Sequence, residues 1–195
     1  DMKRLLVGED PMNVDQLFEK VRRAYIFDGG IAGNVISALT GIEIALWDLV
    51  GRATGLPVYQ LLGGKFREKI RLYADCGGNS PEQCAKHALH AVSLGFNAVK
   101  IDVDDARNPY KLDRWNWSVT SGEVSAMVER VAAVREAVGP QVDVAVDMHG
   151  RYDLPAAIRI ANALESYDLM WLEEPVPPEN IDAMREVKQS TSVPI

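Results

Sequence analysis

Hydrophobic and polar positions change their spacing about one third of the way along the chain. Before that point the spacing is helical, as in VDQLFEKVRRAYIF (14–27), whose apolar residues recur on one helical face. A glycine-rich loop, DGGIAGN (28–34), interrupts this pattern. A second helical pattern then continues until Gly55 and Pro57, since proline cannot continue a helix. We therefore predict a helical region over residues 1–64.

Residues 65–195 alternate between strand-like and helix-like spacing. The predicted strands are IRLYADC (70–76), NAVKIDV (97–103), VDVAVDM (142–148) and LMWLEEP (169–175), with a fifth beginning at Val193. The predicted helices between them are PEQCAKHALHAVSLG (81–95), EVSAMVERVAAVREAVG (123–139), PAAIRIANALES (155–166) and NIDAMREVKQS (180–190). This alternation predicts a parallel α/β sheet, either open with helices on both faces or closed as a barrel.

Two predicted helix starts have the residue spacing of a capping box. In this motif the side chain of the N-cap residue accepts from the backbone N–H three residues later, and the side chain of that later residue accepts from the N-cap backbone N–H. Asn13 with Gln16 predicts one start, and Thr120 with Glu123 predicts another.

Composition and charge narrow the classes of function. The chain is 47% hydrophobic and 25% charged, as expected for a folded soluble domain. A net charge of −7 argues against nucleic-acid partners and against binding to an anionic membrane. The sequence has neither a run of 18 apolar residues nor the apolar core of a signal peptide at its start, so we expect a cytoplasmic protein. The two cysteines, Cys76 and Cys84, are too few for a disulfide scaffold and are predicted to be buried or incidental thiols.

Polar residues concentrate at the carboxyl ends of the predicted strands, where parallel α/β proteins bind ligands. The second strand ends with Lys100, Asp102, Asp104 and Asp105, the third with Asp147 and His149, and the fourth with Glu173 and Glu174. Mg²⁺ prefers carboxylate oxygens, and neighbouring strands can direct such groups into one pocket. Asp147 and Glu173 are therefore the best candidate metal ligands. The alternative is that these are helix caps or solvated loop charges, as any single strand-end aspartate can be.

The roles of the two cationic residues remain open at this level. His149 can act as a general acid near neutral pH, or it can be a surface histidine bonded to its own turn. Lys100 can be a base with a lowered pKa, a partner for a substrate carboxylate, or the counterion of Asp102 and Asp147.

The segment 104–120 is long for a connection between a strand and a helix, and it carries DRWNW with Trp115 and Trp117. The two tryptophans can cover a bound polyol and exclude water, or they can anchor the loop to the protein or to a neighbouring subunit.

Several motifs, taken together and in order, resemble the mandelate racemase/muconate lactonizing enzyme family of the enolase superfamily. They are GIEIALWDLVGRATGLPVYQLLGG (41–64), IRLYADCGG (70–78), AVKIDVD (98–104), VDMHGR (146–151) and WLEEPVPPEN (171–180). The resemblance implies a partial TIM-type (β/α) barrel over 65–195, with strands 1 to 4 and the start of 5. It also implies that residues 1–64 are the helical part of an α+β capping domain. A complete barrel needs about 250 residues, so we expect the chain to be a portion of a larger enzyme, inactive alone and homo-oligomeric when full length.

The resemblance also implies a mechanism. Enzymes of this superfamily remove the proton alpha to a carboxylate and use Mg²⁺ to stabilise the resulting enediolate. By motif, Asp147 and Glu173 would be metal ligands, with a third ligand just after Ile195. Racemases of the family carry Lys-x-Lys on the second strand, whereas this chain has Lys100-Ile101-Asp102, so that base is missing. VDMHGR is similar to the galactonate dehydratase-like branch, in which the histidine expels hydroxide.

We therefore expect a Mg²⁺-dependent dehydratase of sugar acids, a hydro-lyase of carbohydrate catabolism whose base is a histidine paired with an aspartate on later strands. The predicted catalytic residues are His149, Lys100 and Asp102, and the predicted substrate contacts are Arg151, Trp115 and Trp117. One alternative is a sugar-acid cycloisomerase, epimerase or racemase of the same superfamily. Alternatives of another class are a non-catalytic, flavodoxin-like metal-binding module and an inactive homologue.

Overall fold

A computed structural model describes residues 1–105, 108–111, 113 and 115–195, which form two compact units, Asp1–Ile70 and Arg71–Ile195. The first unit is helical, as its spacing predicts. Its helices are α1 (Lys3–Leu6), α2 (Val14–Ala24), α3 (Asn34–Thr54) and α4 (Val58–Leu61), with a 3-10 turn at Ile26–Asp28. The assignment of residues 1–64 to a capping domain and of 65–195 to half a barrel stays a prediction.

Helix α3 ends where the sequence predicts. Gly55 follows its last residue with a φ of 70°, a left-handed conformation that glycine adopts without steric cost. Among the residues that the structure describes, α3 is the one helix long and apolar enough to cross a membrane by length and composition alone, a test that core helices of soluble proteins also pass.

The two predicted capping boxes have different outcomes. The Thr120 hydroxyl accepts from the Glu123 N–H, and the Glu123 carboxylate accepts from the Thr120 N–H, so this capping box is confirmed. The helix start predicted at Asn13 is confirmed, since α2 begins at Val14, but the Asn13 side chain makes no capping hydrogen bond, so the capping box itself is not formed. The Asn13 backbone, with φ −89° and ψ 58°, lies outside the extended conformation that directs a capping side chain toward the first turn.

The second unit alternates strands and helices. Its strands are β1 (Ala74–Asp75), β2 (Ala98–Asp102), β3 (Asp143–Asp147) and β4 (Trp171–Glu173). Its helices are α5 (Pro81–Ser93), α6 (Ser121–Val138), α7 (Leu154–Leu164) and α8 (Ile181–Ser190), with a 3-10 turn at Glu165–Tyr167. The predicted parallel α/β architecture is therefore confirmed.

The order of the strands decides between the two predicted sheet types. All pairs are parallel and the order is β1-β2-β3-β4, so each strand lies beside its neighbours in sequence. A flavodoxin-like sheet has its first strand between the second and third, which this order excludes. Sequential winding in one direction is the arrangement of a (β/α) barrel.

The two outer strands, β1 and β4, are shorter than the predicted 70–76 and 169–175. The ladder between β1 and β2 begins only at Ala74. Beyond Asp75, one more hydrogen bond joins the two strands, from the Cys76 N–H to the Lys100 carbonyl at 2.8 Å. At the other edge, the predicted fifth strand is not formed as a ladder, since Pro194 has no N–H to donate. Its carbonyl nevertheless accepts a hydrogen bond from the Leu172 N–H of β4 at 2.8 Å, so the chain lies beside β4 as predicted.

Alternate residues of β2, β3 and β4 enter one apolar core with residues of α5, α6, α7 and α8. Val99, Ile101, Val144, Val146 and Leu172 are fully buried in this cluster. Because strand side chains alternate, the residues between them project from the opposite face of the sheet. That face carries the polar residues that the sequence singles out.

The two cysteines are buried and unpaired, as the sequence predicts. Burial is the main reason that the pKa of the Cys76 thiol rises to about 11, and the charge of Asp75 adds to it. Since the thiolate is the reactive species, Cys76 should be alkylated by iodoacetamide at about pH 8 roughly 100-fold more slowly in the native protein than after denaturation. Peptide mass spectrometry over time measures both rates. Equally fast labelling in the native state would contradict the burial of this thiol.

Candidate active site

Three carboxylates form a row across the carboxyl end of the sheet. The strand register pairs Asp102 with Asp147, and Asp147 with Glu173, so one carboxylate from each of β2, β3 and β4 lies at the same level. The level below contains Lys100, Ala145 and Trp171. The row results from strand periodicity, because the paired residues fall on the same face of adjacent strands.

Lys100 reaches upward into this row. Its Nζ lies 2.8 Å from Asp147 Oδ2 and 3.2 Å from Glu173 Oε1, and the side chain is largely buried. Burial lowers the pKa of Lys100, but the hydrogen bonds and charges of the two carboxylates outweigh it, so the pKa lies above its ordinary value. The described contacts therefore favour the counterion alternative for Lys100 over the alternative of a base with a lowered pKa. The second partner is Glu173 in place of the predicted Asp102.

The donor atoms at the row fit a divalent cation. One oxygen each of Asp102 and Asp147 and a ring nitrogen of His149 lie within 4.8 Å of one another. In addition, Asp147 and Glu173, the predicted ligand pair, both accept hydrogen bonds from the Lys100 ammonium group. The two carboxylates therefore face one position, which the Lys100 ammonium occupies. Hard cations such as Mg²⁺ favour such oxygen donors. Together with family membership, described below, this group suggests a divalent metal.

The carboxylates of Asp147 and Asp102 have pKa values shifted in opposite directions. Burial raises the pKa of Asp147, but hydrogen bonds from Lys100 and from the His149 N–H hold it below its ordinary value. Burial raises the pKa of Asp102, with the neighbouring carboxylates adding to the shift and the charge of His149 opposing it. Asp147 is thus the better prepared of the two to remain an anionic ligand.

His149 lies directly beyond β3 in a constrained position. Its backbone has a φ of 49°, uncommon for a residue with a side chain, and its N–H donates to Asp147 Oδ1 at 2.9 Å. The ring places Nδ1 3.0 Å from Asp104 Oδ1 and Nε2 3.7 Å from Asp147 Oδ2. Burial lowers the pKa of His149, but the Asp104 bond and the surrounding carboxylates raise it above its ordinary value overall. The histidine therefore belongs to the carboxylate cluster, and its side-chain contacts reach beyond its own turn.

Asp104, one of the polar residues at the end of the second predicted strand, also belongs to the cluster, although its residue type and position predict no specific role for it. It lies in the loop after β2, only about 5% of its side chain is exposed, and its Oδ2 lies 3.0 Å from Arg151 Nε. Arg151 and Asp104 therefore form an ion pair, but the angle between the two groups does not meet that of a hydrogen bond. The available signal that Asp104 belongs to the cluster was its position in AVKIDVD, two residues beyond Asp102, as His149 is two residues beyond Asp147.

Arg151, Trp115 and Trp117 line a cavity of about 580 Å³ beside this cluster. The other lining residues are Asp104, Lys111, Asn116, Gly150 and Tyr152. Both tryptophans are more than half exposed, and the Trp117 carbonyl accepts from the Asp153 N–H at 2.9 Å. The backbone of Trp117 is thus anchored to Asp153, while the indole rings of Trp115 and Trp117 face the cavity. Arg114 of the DRWNW motif lies outside the described residues, as do Ala106, Arg107 and Leu112.

The chain matches two family models in consecutive order. Residues 1–63 match the N-terminal domain of mandelate racemase / muconate lactonizing enzyme, and residues 83–195 match the enolase C-terminal domain-like family.

Curated relatives and solved structures agree with these matches. The chain is 43% identical over 198 residues to D-xylonate dehydratase from Haloferax volcanii, covering 100% of this chain and 48% of the relative. It is 33% identical over 195 residues to D-galactonate dehydratase from Pectobacterium atrosepticum, with the same two coverages. A crystal structure of a mandelate racemase/muconate lactonizing enzyme-like protein from Rubrobacter xylanophilus DSM 9941 aligns with a TM-score of 0.93 and 55% identity, over 100% of this chain and 54% of that chain.

The chain spans about half the length of the curated relatives it matches. Its sequential parallel sheet, aligned over half of a longer structure, is consistent with the predicted partial (β/α) barrel. Since the two domain models match in order and together cover most of the residues, the chain belongs to the mandelate racemase/muconate lactonizing enzyme family of the enolase superfamily.

Proposed function

We propose that the protein containing this chain is a Mg²⁺-dependent dehydratase of sugar acids. The observation that carries the proposal is the position of His149, which stands beside the carboxylate row with one ring nitrogen bonded to Asp104 and the other near Asp147. The relatives named dehydratases of D-xylonate and D-galactonate support the choice of reaction.

The proposed reaction is a β-elimination. A base removes the proton alpha to the substrate carboxylate, the hydroxyl group on the next carbon leaves as water, and the resulting enol becomes a 2-keto-3-deoxy acid. Mg²⁺ bound by Asp147 and Glu173 would supply positive charge opposite the substrate carboxylate. The base, and a third metal ligand, would come from parts of the protein outside these 195 residues.

His149 would be the acid of this elimination. The hydroxyl group is a poor leaving group, and a proton delivered to its oxygen as the carbon–oxygen bond breaks lets it depart as water. The side chain of His149 is 42% exposed toward the pocket that Asp102, Asp104 and Arg151 also line, so a substrate can reach it.

Lys100 and Asp102 would contribute charge and orientation at the same level. The Lys100 ammonium neutralises the two carboxylates that it bridges, and Asp102 completes the row on the β2 side. In this proposal both residues orient the metal ligands or contact substrate, and neither removes the alpha proton.

The cavity beside the cluster would receive the remainder of the sugar acid. Trp115 and Trp117 provide apolar ring faces that suit the C–H groups of a polyol, while Arg151 and Lys111 provide hydrogen-bond donors for its hydroxyl groups. A volume of about 580 Å³ lies within the range typical of small-molecule sites.

We also propose a cytoplasmic homo-oligomer without nucleic-acid or membrane partners. The net charge of −7 supports the absence of those two kinds of partner, since nucleic acids and anionic membranes both bind basic surfaces.

The test is product analysis with the full-length protein. Incubation with D-xylonate, D-galactonate, D-gluconate and their lactones in the presence of Mg²⁺ should convert at least one acid to a product that has lost one water and carries a 2-keto group. Mass spectrometry after reaction with semicarbazide distinguishes this product from a lactone of the same mass. A product of unchanged mass would favour the cycloisomerase or epimerase alternative. Failure to convert any acid would favour an inactive homologue.

A further inference from the structure

Asp104 is a buried carboxylate in the loop beyond β2. The register that pairs Asp102 with Asp147 brings the residues two positions further along into proximity, and these are Asp104 and His149. Their side chains meet, with His149 Nδ1 3.0 Å from Asp104 Oδ1. Strand pairing therefore brings the two residues near each other, and the conformation of the loops beyond the strands lets their side chains meet.

The backbone of His149 is fixed independently of this contact. Its N–H donates to Asp147 Oδ1, and the next residue, Gly150, donates its N–H to the Glu174 carbonyl at 2.7 Å. These bonds hold the left-handed turn but leave the ring free to rotate about its side-chain torsions. The described hydrogen bond that fixes the ring itself is the one from Nδ1 to Asp104.

The environment of Asp104 suits a fixed acceptor. The carboxylate is about 95% buried, whereas the ring that it contacts is 42% exposed, so the buried partner is the anchor and the exposed partner faces the pocket. Arg151 approaches the second oxygen of Asp104 at 3.0 Å and offsets the charge of the buried carboxylate.

We infer that Asp104 is a positioning residue, which binds Nδ1–H of His149 and thereby directs Nε2 toward the substrate. The inference rests on the proposed function, because it assigns a task to the ring only if His149 delivers a proton. In that step the Nε2 proton passes to the departing hydroxyl oxygen, which leaves as water, and the ring is left neutral with its remaining proton on Nδ1. A carboxylate that accepts from Nδ1–H stabilises the neutral ring with its proton on Nδ1, as it does in other carboxylate–histidine pairs.

The first test is a double-mutant cycle in the full-length enzyme. Asp104→Ala should lower kcat about 10- to 100-fold and change KM by less than about 3-fold, since the ring loses orientation and not substrate contacts. The same substitution on a His149→Asn background should cause no further loss of kcat, because Asp104 acts through the ring. Asp143→Asn, at the opposite end of β3, is the matched control and should stay within about 2-fold of wild type.

The second test does not depend on activity. In protein labelled with ¹⁵N-histidine, the His149 ring signals are identified by their loss in His149→Asn. Asp104→Ala should shift them toward those of a ring whose Nδ1–H is bonded to water. Asp104→Asn should shift them less in the same direction, because its neutral amide oxygen is a weaker acceptor, and Asp143→Asn should leave them unchanged. Asp104→Asn keeps the volume and one oxygen of the side chain, so it is the variant to use if the alanine variant does not fold.

The outcomes separate the two proposals. An equal loss of kcat on the His149→Asn background, or ring signals that both Asp104 substitutions leave unchanged, would overturn the positioning role. If wild-type enzyme dehydrates no sugar acid, the proposed function fails, and the ring signals still report whether Asp104 holds His149.

Discussion

Replacement of His149 by asparagine is expected to lower kcat for sugar-acid dehydration by roughly 10²- to 10⁴-fold, the usual contribution of a general acid. Asparagine cannot deliver a proton, but it tolerates the left-handed backbone that the structure gives to residue 149. The fold and the metal site should therefore survive the change. Initial rates of formation of the dehydrated product, compared at saturating substrate, measure the effect.

A matched control is available on α5. His90 lies on an exposed part of that helix, away from the strand ends, and His90→Gln should leave kcat within about 2-fold of wild type. Unchanged dehydration by the His149→Asn enzyme, with its folding verified by circular dichroism, would remove His149 as the essential acid.

Replacement of Asp147 by asparagine should abolish detectable activity and weaken binding of Mg²⁺ by at least roughly 100-fold, since loss of an outer-sphere partner alone costs 10- to 100-fold. Asp147 is 4% exposed, and its carboxylate accepts hydrogen bonds from the Lys100 ammonium and from the His149 backbone N–H. The carboxylate is therefore held in place on both of its oxygens. Isothermal titration of metal-free full-length protein with Mg²⁺ measures the affinity without reference to turnover.

Asp143→Asn again serves as the control, because Asp143 begins the same strand and pairs at the surface with Arg71. Its Mg²⁺ affinity should match that of wild type. Wild-type affinity in the Asp147→Asn protein would mean that the metal ligands lie elsewhere. Comparing the thermal unfolding temperatures of both variants without metal separates loss of a metal ligand from loss of the fold. Lys100 keeps Glu173 as an ion-pair partner in both variants.

The carboxylate row was predictable because strand periodicity and parallel pairing are local rules. Once VKID, VDM and WLEE are taken as adjacent strands, Asp102, Asp147 and Glu173 must share one face and one end. Asp104 was not predictable in the same way. It lies beyond the last ladder residue, where alternation no longer determines the direction of a side chain, and its contact with His149 depends on the conformation of two loops.

The winding of the sheet was likewise beyond the sequence pattern. Strand and helix alternate identically in an open doubly wound sheet and in a barrel, and the pairing of β3 with both β2 and β4 distinguishes them. The helix start at Asn13 shows a third kind of limit. The residue types of a capping box were present, but the backbone conformation that lets them bond was not.

The alternation along β2 and β3 also governs which changes in length the protein can tolerate. Insertion of a single residue into β3 ahead of Val146 would turn Asp147 into the apolar core and bring a valine into the carboxylate row, so the packing of the core and the row would be lost together. The described residues of the segment between β2 and α6 form no ladder that would fix a register, so the same parity rule does not apply to them. Gain and loss of residues should therefore be tolerated better in that segment than in the strands, which can change only by substitution.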